Sequence, residues 1–179
     1  AESAMDRNVS ERLVNLLGAL AVGVNDRMHA AIALTMQDGG GTVAALVAIG
    51  HAPGMTIEQL SRVLTITHGG AVRLVDRLLE RGLVEKRPSR TDRRAFNLVL
   101  TPSAKQQREQ VLEHRREALT WAVGHVPHEH LAAFESVAET LVAALASDPL
   151  SALTTCRYCD EKRCTSCPME TFGPIVMKQ

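Results

Sequence analysis

A mainly α-helical fold carrying one small β-hairpin is predicted by three properties of this 179-residue sequence. Aromatic residues make up only 3% of it and hydrophobic residues 45%, with Ala, Leu and Val supplying most of the latter, a composition that favours helices over sheets. Apolar residues recur at spacings of three and four over most of the chain, as one face of a helix requires. Only "LVEKR" and "FNLVL" depart from that rhythm, and they flank the turn-rich stretch "PSRTDR", so they read as two short strands of a hairpin.

Val9, Leu13, Leu16, Leu17, Leu20 and Val24 make the chain up to about residue 35 a long amphipathic helix. "DGGGT" ends it, and Thr42 is placed to cap a short helix, "VAALVAIG", that stops near Gly50. Thr56 opens a third helix with Gln59 at capping-box separation. Thr67 is the expected N-cap of a fourth, in which Val72, Val75, Leu78 and Leu79 share one side and Gly82 is placed to close the end. After the hairpin, Thr101 caps and Pro102 begins a helix that runs to about Val123, where Gly124 and Pro127 stop it. Leu131, Phe134, Val137, Leu141 and Leu145 mark a last long helix, and "SDPLSALTT" reads as a linker. Four regions are expected: 1–40, an N-terminal dimerisation helix; 41–104, a winged helix-turn-helix; 105–149, C-terminal dimerisation helices; and 150–179, a cysteine-rich tail. The first and last helices expose apolar stripes that one small winged unit cannot cover, so they are expected to bury them against each other and a second copy of the chain.

Lys plus Arg equals Asp plus Glu at 20 each, so overall charge selects no partner. Its distribution does: residues 81–94 hold six basic residues against two acidic, while 125–149 hold four acids and no Lys or Arg. Two helices joined by a short turn and followed by a basic hairpin form a winged helix-turn-helix. The side of the second helix away from its apolar set carries Gly69, Gly70, Arg73, Arg77 and Glu80. Its N-terminus offers unpaired amides to a phosphate, and its glycines hold no side chain between backbone and DNA. Arg73 suits a base or phosphate contact, and Arg77 is expected to pair with an acid such as Asp76, Glu80 or Glu58, or with the backbone. In the hairpin tip Arg90, Arg93 and Arg94 surround Asp92, a grouping suited to a narrow minor groove.

"THGGAVRLVDRLLERGLVEKRPSRTDRRAFNLVLTPSA" resembles the recognition helix and wing of the MarR family of bacterial transcriptional regulators. The likeness is specific over residues 56–104, and the helix order agrees from 7 to 147. It implies a homodimer with interlocked terminal helices and two winged lobes on a near-palindromic double-stranded DNA operator, read as a repressor. By that likeness Thr67, His68, Gly69, Gly70 and Arg73 address the major groove, and Asp92 and Arg94 belong to the wing. "HGG" departs from the small polar residues commoner at that helix start. The resemblance also implies a small-molecule effector, for which Leu17, Met28, Val47 and His51 are candidate lining residues.

All four cysteines stand near the end as C-x2-C-x4-C-x2-C: Cys156, Cys159, Cys164 and Cys167. Paired C-x2-C turns direct two thiolates to one ion, and Arg157, Lys162 and Arg163 offset the charge. Zinc closed by four thiolates and an iron–sulfur cluster are the metal readings, the C-x4-C-x2-C spacing pointing to [2Fe–2S]. Thiols that sense oxidants without metal are the alternative. His125, His128 and His130 read as solvent-facing residues at a helix start. An enzyme is not expected, since four thiolates leave a metal no open position and no nucleophile–base pair stands out; a winged-helix interaction adaptor is the competing non-enzyme reading. The apolar run 13–24 is too short for a bilayer and is broken by Asn15 and Gly18, so no membrane partner and a cytoplasmic location are expected.

Overall fold

The computed structural model describes residues 9–36, 39–89 and 96–173. Seven helices and one hairpin follow in the order α1 (Glu11–Ala33), α2 (Gly40–His51), α3 (Ile57–Val63), α4 (His68–Glu80), β1 (Val84–Pro88), β2 (Phe96–Leu100), α5 (Pro102–Val123), α6 (Leu131–Ala144) and α7 (Pro149–Thr155). Single 3-10 turns lie at His128–His130 and Pro168–Phe172. This is the mainly α, winged helix-turn-helix architecture, with its small antiparallel hairpin, that the sequence predicts.

α2 is apolar on every side, and a helix of that kind belongs in the middle of a fold. Every residue from Thr42 to Ile49 is buried, and α3, α4, α5 and β2 pack around it. The strands pair from Val84 opposite Leu100 to Pro88 opposite Phe96, sending Val84, Leu98 and Leu100 into the same core. On the other edge of β2, Gly54 N–H donates to Leu98 O at 3.0 Å and Leu98 N–H to Met55 O at 2.9 Å, tying the loop before α3 to the wing.

The helix ends follow local chemistry. Thr56 Oγ1 accepts from Gln59 N while Gln59 Oε1 accepts from Thr56 N, completing the capping box. Thr67 and Thr101 cap α4 and α5 through the amides of Gly70 and Ala104. Thr42 does not cap α2; Gly39 holds that position and Thr42 is buried in the first turn, because the helix begins three residues earlier than a Thr42 cap implies. Gly82, at φ 63°, donates to Leu79 O while Leu83 donates to Leu78 O, both at 2.9 Å; these are the two bonds of a Schellman close, which needs a left-handed residue. Gly82→Ala is expected to cost about 1 kcal/mol, read as a lower midpoint in urea unfolding.

The linker expectation is overturned as well. "SDPLSALTT" is not a linker, since Asp148 accepts from the amides of Leu150 and Ser151, Pro149 takes the first helical position, and α7 follows. Leu153 is buried in the central core, with Leu150 and Tyr158 packed at its edge, so the tail is seated on the winged lobe. The long helices are less covered. α1 contacts α5 but buries only Ile32, and α6 buries no residue at all.

Candidate nucleic-acid interface and thiol cluster

α4 has a buried side, Ala71, Leu74, Val75 and Leu78, and an opposite side on which His68, Gly69, Arg73 and Arg77 are exposed. Periodicity puts Val72 and Leu79 fully on the apolar side; they are half-buried at its margins. Glu58 of α3 organises the helix start, accepting from Arg62 Nε at 3.1 Å and lying 3.2 Å from His68 Nδ1. Asp76 lies 3.7 Å from Lys86 of β1. Both acids are thus engaged elsewhere, and the expected pairing of Arg77 with Asp76, Glu80 or Glu58 is not formed. Among the described residues, no acid pairs with Arg73 or Arg77.

A Cβ built on Gly69 meets nothing within 4 Å, whereas one on Gly70 comes 3.1 Å from the capping hydroxyl of Thr67. Gly70 therefore serves the cap, and Gly69 leaves bare backbone on the outer surface. The turn between α3 and α4 passes through Thr65 at φ 53°, a rare conformation for a β-branched residue. Arg90, Asp92, Arg93 and Arg94 lie outside the described residues.

The four effector-lining candidates sit in different surroundings. Leu17 is exposed on α1, Val47 is fully buried, Met28 packs at the edge of the core, and His51 faces Glu161 at 3.8 Å.

The four thiols gather at the end of α7. Cys156 caps that helix and is buried, and the Cys159 amide donates to Cys156 O at 2.7 Å, closing the first C-x2-C turn. In the second, Ser166 stands at φ 54°. The four thiols lie close enough to perturb one another's ionisation. The neighbouring Cys156 thiol and, against the effect of burial, the nearby Arg115 bring Cys159 down to about 6, while the Cys159 thiol and burial push Cys156 up. Burial and the neighbouring Cys167 thiol raise Cys164 to about 11. Arg115 Nη2 lies 3.7 Å from Cys159 Sγ, and its buried Nε has no partner among the described residues. Ala152, Cys156 and Met169 form a small core of their own. Among the described residues no group of three or more His, Cys, Asp or Glu side chains is already arranged around an ion position.

Between the two pairs, residues 160–163 dock on α5. Arg108, only 5% exposed, donates from Nε to Val47 O at 3.4 Å and from Nη2 to Glu161 Oε2 at 2.5 Å. Burial raises the Glu161 carboxyl, but its own backbone amide and Arg108 outweigh this and hold it below the ordinary range. Burial lowers His51 despite the facing carboxylate. Lys162 and Arg163 reach Glu109 and Glu113 at 3.7 and 3.8 Å, and Tyr158 Oη donates to Gly40 O at 2.9 Å while its ring stands edge-on to His29. Sequence reasoning misses Arg108, Arg115, Tyr158 and Glu161. One signal is present: Ala104, Arg108, Val111 and Leu112 follow helical spacing on the buried face of α5, so Arg108 is a cation within an apolar stripe.

Residues 35–95 match the MarR family. The chain shares its fold with solved structures, among them Rv1404 from Mycobacterium tuberculosis, at 19% identity and TM-score 0.69 over 80% of this chain and 99% of that one. A MarR family protein from Bacillus stearothermophilus matches at 22% identity and TM-score 0.66, over 75% and 96% of the two chains. FabT from Streptococcus pneumoniae, solved in complex with DNA, matches at 20% and 0.62, again over 75% and 96%. No curated protein sequence matches the chain. The lobe of α2 to β2 is thus a winged helix of MarR type.

Proposed function

We propose that this chain is a DNA-binding transcriptional regulator, not an enzyme, that represses from a near-palindromic operator as a homodimer in the cytoplasm. α4 enters the major groove, and the wing tip, with Arg90, Asp92, Arg93 and Arg94, addresses the neighbouring minor groove. The observation that carries this reading is the outer row of α4: Gly69, Arg73 and Arg77 are exposed, the arginines are free of acidic partners among the described residues, and the row starts at the positive end of a capped helix. The DNA complex of the FabT structure supports the assignment by analogy of fold.

The homodimer is supported by the apolar rows that the single chain leaves open. Leu13, Leu16, Leu17 and Leu20 of α1 are each about half exposed, as are Val137 and Leu141 of α6, and stripes of this length are buried in stable proteins. No described helix is long and apolar enough to cross a membrane.

The regulatory input is assigned to the cysteine tail, as a thiolate site for zinc or an iron–sulfur cluster. Beside it a cleft of about 320 Å³ is bordered by Leu112 and by the charged Arg108, Glu109, Glu113, Asp160, Lys162 and Arg163, a lining that suits a small effector bearing charged or polar groups.

Gly69→Ala separates the DNA reading from a purely structural one. There is open space for the methyl group, so the helix should gain up to about 1 kcal/mol in stability. Affinity for duplex DNA, measured by fluorescence anisotropy, should nevertheless fall, because the backbone can no longer approach as closely. Unchanged affinity, or wild-type binding whose strength ignores salt concentration, rejects α4 as the reading element and favours an interaction adaptor.

A further inference from the structure

We infer that the four cysteines close on one thiophilic metal centre, and that closing it shifts the 160–163 span that seats Glu161 on Arg108, so that its occupancy is relayed to the winged lobe. The relay rests on the DNA-binding reading above; the metal site does not.

Three observations beyond the cysteine spacing support the site. Arg115 turns one guanidinium nitrogen to Cys159 and holds a second buried without a hydrogen-bond partner among the described residues. A cation so placed suits a centre that carries surplus negative charge, as four thiolates around a divalent ion do. Ser166 occupies a left-handed conformation that only glycine adopts freely, within the second C-x2-C turn. Such an outlier needs its surroundings to hold it, and a ligand bond from Cys167 beside it does so. Third, of residues 156–167 only Cys156 is buried. That is too little apolar area to order residues 156–167, whereas metal binding contributes folding free energy directly.

The relay follows from where the ligands lie. Cys159 and Cys164 bracket residues 160–163, and within that span Glu161 holds the buried Arg108, which also donates to Val47 of the central helix α2. The thiols are not already gathered round one ion position, so converging on one centre moves the ends of this span. A ligand shifts an equilibrium only through a difference in its interactions with two arrangements, and this displacement supplies one. Arg108 joins α5, which follows directly from the wing, to α2, which leads into α3 and α4; the joint therefore lies between the long helices and the DNA-reading elements.

The test uses the full chain purified under argon. Metal content and free thiols are measured for the wild type and for C164S/C167S, and DNA affinity is measured on a duplex obtained by in vitro selection with the wild type. Expected is one centre per chain, lost in the double variant: colourless protein with one zinc, or brown protein with iron and sulfide in a [2Fe–2S] ratio. Removing the metal with a chelator should shift affinity about tenfold. Glu161→Gln should keep the metal while losing that response. Four reactive thiols that retain neither added zinc nor iron overturn the site. A metal-bearing protein with the same affinity before and after chelation overturns the relay, and because that comparison needs only the wild type it holds even if E161Q folds poorly. A metal-bearing protein that selects no duplex overturns the DNA-binding reading, and the relay with it, but leaves the metal site standing.

Discussion

Gly50→Ala lowers the stability of the chain by roughly 2–3 kcal/mol, although alanine is the better helix former. The new Cβ falls 2.4 Å from Cδ and from Nε of Arg108, and 3.1 Å from its Cζ. These are mid-chain atoms of a side chain pinned at both ends, by Val47 O and by Glu161, so Arg108 cannot step aside without breaking its contacts. Displacing Arg108 separates a part-buried ion pair, at about 3–4 kcal/mol, against which helix propensity returns about 1 kcal/mol. The measurement is a urea titration, with Gly41→Ala as control; nothing lies within 4 Å of a Cβ there. Equal midpoints for the two variants would show that Gly50 makes no room for Arg108. A second readout is local: with Arg108 displaced, the 160–163 span loses its anchor, and Cys159 should react faster with a thiol reagent.

Arg73→Ala weakens binding to a selected duplex about 10- to 100-fold while leaving the fold intact. The side chain is exposed on α4, one turn in from its capped end, and no described acid neutralises it. A base contact is worth about 1–3 kcal/mol of discrimination. A phosphate contact instead weakens all sequences alike and reduces the logarithmic salt slope by about one. Comparing selected with random duplex over a range of salt tells the two apart. Arg116→Ala is the control, because Arg116 is paired with Glu113 on α5, away from α4. Equal losses in the two variants, or none in either, contradict the placement of α4 in a groove.

How much of the molecule is legible in its sequence depends on range. Thr56, Thr67, Thr101 and Gly82 act within a few residues of themselves, so their roles as helix ends can be read directly. The recognition face is legible for the same reason, since periodicity alone separates Arg73 from Leu74 and Val75. α7 escapes a reading by pattern because "SDP" passes for a linker signal, although Asp followed by Pro is equally a cap and a first helical residue. Proximity in sequence offers Arg77 acidic partners, but Glu58 and Asp76 are claimed by residues on neighbouring elements. The seating of the tail on α5 and α2 is the least visible, because it depends on side chains far apart in the chain that share no pattern.

The space left by Gly50 makes an early helix and a late loop answerable to one another. A lineage that shed the carboxylate at 161 would strand a cation in oil, and one that filled the notch at 50 would evict it. Substitution at either place thus invites repair at the other, and the three positions are best regarded as one inherited unit when variants of this chain are built.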